Sequence, residues 1–203
     1  MFQWHQHNHK NYPWRNTINP YYILVAEFLL QETHVRKVQD AYLNICNTYT
    51  DVESLAIASL DEIQLIIKPI GLAYRAERLK GCANSIVKDY GGNVPGTKKE
   101  LLTFPGVGQY IANAALCYAF DKATVPIDTN VIRLFCRYFG FTSSYSRPRT
   151  DGKLAEIIRK QFSYFTSTRD ANLAVLDFVS SVCTARKPSC TSCPLENSCC
   201  KNL

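Results

Sequence analysis

The chain reads as an all-α protein, and three observations carry that reading. No stretch shows strict apolar–polar alternation bounded by hairpin turns, the mark of a half-buried strand. Apolar residues instead recur at helical spacing between cap signals from about residue 20 onward. No internal repeat of roughly 20–50 residues and no low-complexity tract interrupts the pattern.

MFQWHQHNHK is expected to be a solvated tail; its histidines at 5, 7 and 9 are metal-capable, but solvation is the simpler reading. Tyr12-Pro13-Trp14-Arg15 forms an extended lead-in. Asn19-Pro20 starts the first strong helix, with asparagine as cap and proline at the first helical position. That helix, YYILVAEFLLQ, is apolar nearly all round except for Glu27. A carboxylate there is costly unless it is paired, hydrated or used. THVRKVQDAYLNICNTY has helical period, and Asp51, Ser59 and Asp61 suggest caps for two short helices that end at Lys68-Pro69-Ile70-Gly71-Leu72. RAERLKGCANSIVKDYGG is an amphipathic helix closed by Gly91-Gly92. After Arg137 a polar loop, TSSYSRPRTDGK, leads to helices near 152–166 and 171–182.

At 203 residues the chain is one large domain or two small lobes with a real core. A hydrophobic content of 46% excludes a disordered chain, and a net charge of +6 fits nucleic acid without proving it. No apolar run approaches the ~20 residues that span a bilayer, and the N-terminus lacks a signal peptide's apolar core. An intracellular location, cytoplasm or nucleoid, is expected. Nine cysteines in a reducing compartment argue against a disulfide framework. Cys46, Cys82, Cys117 and Cys136 read as small core residues, whereas the other five crowd the C-terminus.

Chemistry concentrates between Leu101 and Arg137. Pro105-Gly106-Val107-Gly108 predicts a tight hairpin between two helices, the second starting near Gly108. The unpaired N–H groups of that helix start favour an anion, and a glycine lets a phosphate approach. Taken alone, such a turn is more often plain helix-hairpin packing. Twenty residues beyond Gly108 stands Asp128, before Thr129-Asn130-Val131 and another helical run; alone, it is also an ordinary N-cap.

At the C-terminus, Cys183, Cys190, Cys193 and Cys199 have the spacing C-x6-C-x2-C-x5-C, with Cys200 left over. Four thiolates in one short loop suit an iron–sulfur cluster or zinc, and generic chemistry leaves both open. Arg186 and Lys187 in the loop are solvated charges or phosphate contacts.

The hairpin at Leu102–Ala112 followed by Asp128 resembles the helix-hairpin-helix (HhH-GPD) glycosylases of base excision repair. VAEFLLQET, PGVG with IDTN, and the cysteine loop occur in that family's order and cover residues 12–200. The cysteine spacing resembles that of endonuclease III, where it holds a [4Fe-4S] cluster. The resemblance implies two helical lobes with a DNA-binding cleft: a helical barrel at 21–124, and residues 1–20 joined to 125–203 with the cluster loop at 183–199. It makes Asp128 the central catalytic carboxylate, acting on a nucleotide flipped out of duplex DNA. Pro105, Gly106, Val107, Gly108 and Gln109 would meet the DNA backbone. Gln31 and Leu72 are candidates for the gap left by the flipped base, and Arg186 and Lys187 are candidate phosphate contacts.

Endonuclease III-like lyases carry a lysine two residues after the second hairpin glycine; here that position is Tyr110. A phenol forms no Schiff base, so a monofunctional glycosylase with little lyase activity is expected. Glu27 matches a glutamate that lines the base pocket, where apolar surroundings should raise its pKa. RAERLKGCANSIVKDYGG and CRYFGF resemble the G:T mismatch thymine/uracil glycosylases, whereas LLQET is nearer the MutY adenine glycosylases. MutY enzymes normally carry a further C-terminal reader of oxidised guanine, and this chain stops three residues after Cys200. Thymine or uracil opposite guanine is the favoured substrate. Adenine opposite guanine or oxidised guanine is the alternative, and a non-catalytic mismatch-binding module is the reading from another class. Double-stranded DNA with a mismatch or damaged base is the expected partner of a monomeric, non-membrane protein.

Overall fold

The computed structural model describes residues 1–71 and 73–201. Eleven α-helices and no strand occur among them: α1 (Phe2–Asn8), α2 (Pro20–Leu30), α3 (Val35–Thr48), α4 (Val52–Ile57), α5 (Leu60–Ile67), α6 (Tyr74–Tyr90), α7 (Lys98–Leu101), α8 (Gln109–Phe120), α9 (Thr129–Phe139), α10 (Gly152–Phe162) and α11 (Thr168–Ser181). None is long and apolar enough to cross a membrane.

Local chemistry sets most of the boundaries. Asn19 Oδ1 accepts from Tyr21 N at 2.9 Å and Pro20 opens α2. Asp51 and Ser59 each form a reciprocal capping box at the starts of α4 and α5. Asp61 is not a cap; it lies in the first turn of α5. Gly91 closes α6 in the left-handed region at φ 56°.

The chain forms two compact units, Asn11–Lys122 and Met1–Lys10 with Ala123–Leu203. In the first, α2 packs against α3 and α8, and α4 against α6. Residues 23–29 of α2 are all buried, as an all-round apolar helix requires. The 11–20 segment belongs to this unit, not to the other as the sequence boundaries had it. Pro13–Arg15 is a 3-10 turn, not an extended segment. Trp14 is buried there, stacked on Tyr12 at 5.1 Å and edge-on to Tyr42 at 5.3 Å. Helix α6 donates basic side chains to two helix ends: Lys80 Nζ bonds Ala56 O and Ala58 O at the end of α4, and Arg75 bonds Leu29 O and Gln31 O at the end of α2.

The core of the second unit comes from α9, α10 and α11. The N-terminus is not a solvated tail: residues 2–8 are helical, with Trp4 edge-on to Phe178 at 5.4 Å. His5 Nε2 lies 3.1 Å from Oδ2 of the fully buried Asp177, and the Lys10 backbone N–H donates to the same oxygen at 3.0 Å. Seven residues are too few for a stable isolated helix, so tertiary contact orders α1.

Candidate active site

In the first unit, α7 ends at Leu101 and a tight turn leads into α8, with Gly108 at its N-cap. Gly106 has φ +78°, and a Cβ there would lie 2.7 Å from Phe28 Cε1 and 2.9 Å from Arg78 Cβ. Glycine is therefore required by internal packing as well as by φ. Gly108 differs: nothing lies within 4 Å of its virtual Cβ. Exposed Gly108 and Gln109 leave the first N–H groups of α8 open to an anion. Pro105 is exposed, and the Val107 side chain is buried in the core, so only its backbone is left to meet a phosphate.

Glu27 lies in the middle of α2 and is buried at 6% exposure. Tyr110 sits half-buried in the first turn of α8, the helix that packs against α2. Further along α8, Asn113 and Tyr118 are buried polar groups that sequence reasoning passed over. Burial pushes the Tyr118 phenol well above the ordinary tyrosine range, with Tyr110, Glu27 and Cys117 adding and Arg15 opposing. Glu27, Tyr110 and Arg15 thus lie within electrostatic range of one buried phenol, and each of these groups is engaged with a partner. The available signal was a tyrosine in the buried run of an alanine-rich helix.

In the second unit, Asp128 is the N-cap of α9. Its Oδ1 accepts from the backbone N–H groups of Asn130 at 2.9 Å and Val131 at 2.7 Å, and its Oδ2 accepts from Asn130 Nδ2 at 2.6 Å. Capping and chemistry are compatible here: one oxygen is spent on the helix, and the other keeps a lone pair for a further donor. Asn130 is held in turn by Arg133 Nη1, which donates to its Oδ1 at 2.8 Å. The same guanidinium donates to Cys183 O at 3.2 Å and Val179 O at 3.2 Å. A continuous hydrogen-bonded line therefore runs from Asp128 to the first residue of the cysteine loop.

Cys183, Cys190, Cys193 and Cys199 all line one small cavity of about 30 Å³, walled also by Leu134, Phe178 and Leu195. No three metal-ligating side chains among the described residues converge as a single-ion site. Burial pushes the Cys193 thiol up; an N–H from Leu195 opposes this, while Cys183, Cys199 and Cys190 add to it. A thiol crowded by three others fits a cationic group that would share them. N–H donors point at the sulfurs: Leu195 N lies 3.4 Å from Cys193 Sγ, Lys201 N 3.4 Å from Cys199 Sγ, and Arg137 Nη1 3.6 Å from Cys183 Sγ. Such contacts accompany iron–sulfur ligation. Arg137 also holds Thr184 O at 2.7 Å and Ala185 O at 2.9 Å, next to exposed Arg186 and Lys187. Cys200 is exposed, its N–H bonded to Tyr138 O at 3.0 Å.

Of the two gap-filling candidates, Gln31 is the half-buried residue that ends α2, and Leu72 lies outside the described residues.

The HhH-GPD superfamily of base excision DNA repair proteins matches residues 25–160, and the iron-sulfur binding domain of endonuclease III matches residues 183–199. A thymine-DNA glycosylase of Aeropyrum pernix is 38% identical over 98% of this chain and 91% of its own length. A thymine/uracil-DNA glycosylase of Pyrobaculum aerophilum is 36% identical over 98% and 88%. The solved structure of a thermostable thymine-DNA glycosylase superposes with a TM-score of 0.87 at 36% identity, covering 94% of this chain and 87% of that one.

Proposed function

This chain belongs to the HhH-GPD superfamily of base excision DNA repair proteins, and we propose that within it the protein is a monofunctional, intracellular glycosylase that removes thymine or uracil paired with guanine. Its C-terminal loop is the family's iron–sulfur binding domain, and the cofactor is a [4Fe-4S] cluster rather than zinc. Relatives named for thymine and uracil, matching nearly end to end, support the choice of base.

The observation that carries the chemistry is the held carboxylate of Asp128. Cleaving an N-glycosidic bond develops positive charge on the deoxyribose, and a fixed anion beside it lowers the barrier. In this reading the target nucleotide leaves the stack and its base enters a pocket lined by Glu27 and Tyr110. Glu27 hydrogen-bonds the base or a water beside it while the C1′–N bond breaks. Asp128 orients the attacking water and takes its proton as the oxygen bonds to C1′; the base leaves with the C1′–N electron pair and picks up a proton from the water that Glu27 holds beside it. With a phenol at Tyr110, no amine forms a covalent link to the sugar, so the abasic strand stays intact. The cluster, when bound, cross-links the four thiolates and fixes the loop that presents Arg186 and Lys187 to phosphate.

Labelled duplexes carrying G:T, G:U and adenine opposite oxidised guanine test this reading. Release of thymine or uracil, with nicking only after alkali, is expected. Release of adenine alone would move the protein to the adenine branch, and mismatch binding without any release would mean a non-catalytic module.

A further inference from the structure

Arg75 is fully buried, and among the described residues it pairs with no carboxylate. One terminal nitrogen donates to Leu29 O at 3.2 Å and the other to Gln31 O, while Nε has no partner. The fork therefore straddles the carbonyl end of α2, where helix dipoles leave partial negative charge and orphan acceptors. Neither a glycine nor a Schellman turn closes this helix. Gln31 has φ −55° and ψ 123°, and Glu32 follows in the left-handed region at φ 52°. Thr33 Oγ1 donates to the same Gln31 carbonyl at 3.2 Å.

Stability alone does not account for this arrangement. A buried charge satisfied only by carbonyls, with one donor idle, costs desolvation that a well-packed apolar side chain would avoid. What it secures is a rigid backbone at Gln31. Arg75 is the second residue of α6, so one guanidinium ties the end of α2 to the start of α6.

We propose that Arg75 is a positioning residue for base extrusion: it fixes the Gln31 turn at the end of α2 so that the Gln31 side chain enters the duplex as the target nucleotide leaves. The inference rests on the glycosylase reading of the preceding subsection. Displacing such a probe by about 1 Å is expected to cost up to the order of 10²-fold in rate.

Arg75→Lys keeps the charge but loses the fork. It is compared, in the full chain with its cluster, with Gln31→Ala, the double variant, and Lys80→Met. The last removes the equivalent clasp at the end of α4, where no candidate contact lies. Two signals are read: single-turnover base release from G:T and G:U duplexes, and fluorescence of 2-aminopurine beside the target in a duplex with an uncleavable sugar. Arg75→Lys should slow base release by roughly 10- to 100-fold and bring the 2-aminopurine signal toward that of the stacked duplex. The double variant should be no worse than Gln31→Ala, because both changes remove the same action. Lys80→Met should lower the melting temperature and leave both signals alone. Additive losses in the double variant, or signals that fall only in step with melting temperature, would overturn the proposal. If Arg75→Lys does not fold, Thr33→Val replaces it; it removes only the hydroxyl on Gln31 O, and the same non-additivity with Gln31→Ala decides. A wild-type chain that extrudes but never releases a base refutes the glycosylase reading while the fluorescence comparison still tests Arg75.

Discussion

Asn130 donates from its side-chain amide to Asp128 Oδ2 at 2.6 Å, and its own carbonyl oxygen is held by Arg133. The amide therefore cannot swivel away, and the carboxylate above it has one orientation. Asp128→Asn keeps the N-cap oxygen but turns its NH2 toward the Asn130 NH2, so a stability loss of about 1–3 kcal/mol is expected in a thermal melt. Base release should fall by roughly 10²–10⁴-fold for loss of the anion and water-orienting base. Duplex binding persists. Gel-shift and single-turnover assays check this, and wild-type turnover would remove Asp128 from the reaction.

Arg133→Gln strips the donors from Cys183 O and Val179 O and leaves Asn130 unanchored. Two part-buried acceptors without donors cost about 1 kcal/mol each. A lower melting temperature, faster bleaching of the cluster's visible absorbance under a chelator, and slower base release should appear together. Unchanged release in a variant that has become chelator-sensitive would mean that the line to Asp128 is scaffolding alone.

The two hairpin glycines should separate by assay. Gly106→Ala forces a Cβ into Phe28 and Arg78 at positive φ, and should cost about 1–3 kcal/mol of stability in a thermal melt. Gly108→Ala meets nothing and should melt near wild type. Its added methyl obstructs the anion site at the start of α8, so duplex affinity and the salt dependence of binding should both decline.

Tyr110→Lys places an amine two residues after Gly108. Gain of strand nicking, with a borohydride-trapped protein–DNA adduct, is the expected outcome. The absence of any adduct would show that the amine does not reach the sugar.

Burial pushes the Cys46 and Cys82 thiols from 9 to about 12. Unfolded, they ionise near 9, so between pH 9 and 12 the folded state holds more protons and stability falls as pH rises. Melting temperature should drop across that window. In the folded chain at pH 9 both thiols should resist alkylation, and they should react at once in denaturant.

Caps made the helices legible. Asn19, Asp51, Ser59 and Gly91 act where their side chains or backbone freedom dictate. The hairpin, Asp128 and the cysteine loop were visible because their chemistry lies within a few residues. What escaped notice was held by distant partners. Helix α1 exists through Asp177 and Phe178, some 170 residues away. Arg75 looked like one more cation on an amphipathic helix, and only the end of α2 shows why it is buried. Tyr118 drew no reading in an alanine-rich helix, and only its nearness to Glu27 and Tyr110 sets it apart.

The two units differ in how they draw on the chain. Residues 11–122 are contiguous, while the other unit joins the first ten residues to everything after 122. During synthesis the contiguous unit can close first, carrying Glu27 and Tyr110. The unit with Asp128 must wait for Cys199, 77 residues later (199 − 122), or about 4–15 s at ribosomal speed. The nascent protein therefore passes through an interval in which the unit with Glu27 and Tyr110 is folded and the unit with Asp128 is not, so a truncated chain released in that interval is expected to release no base from DNA.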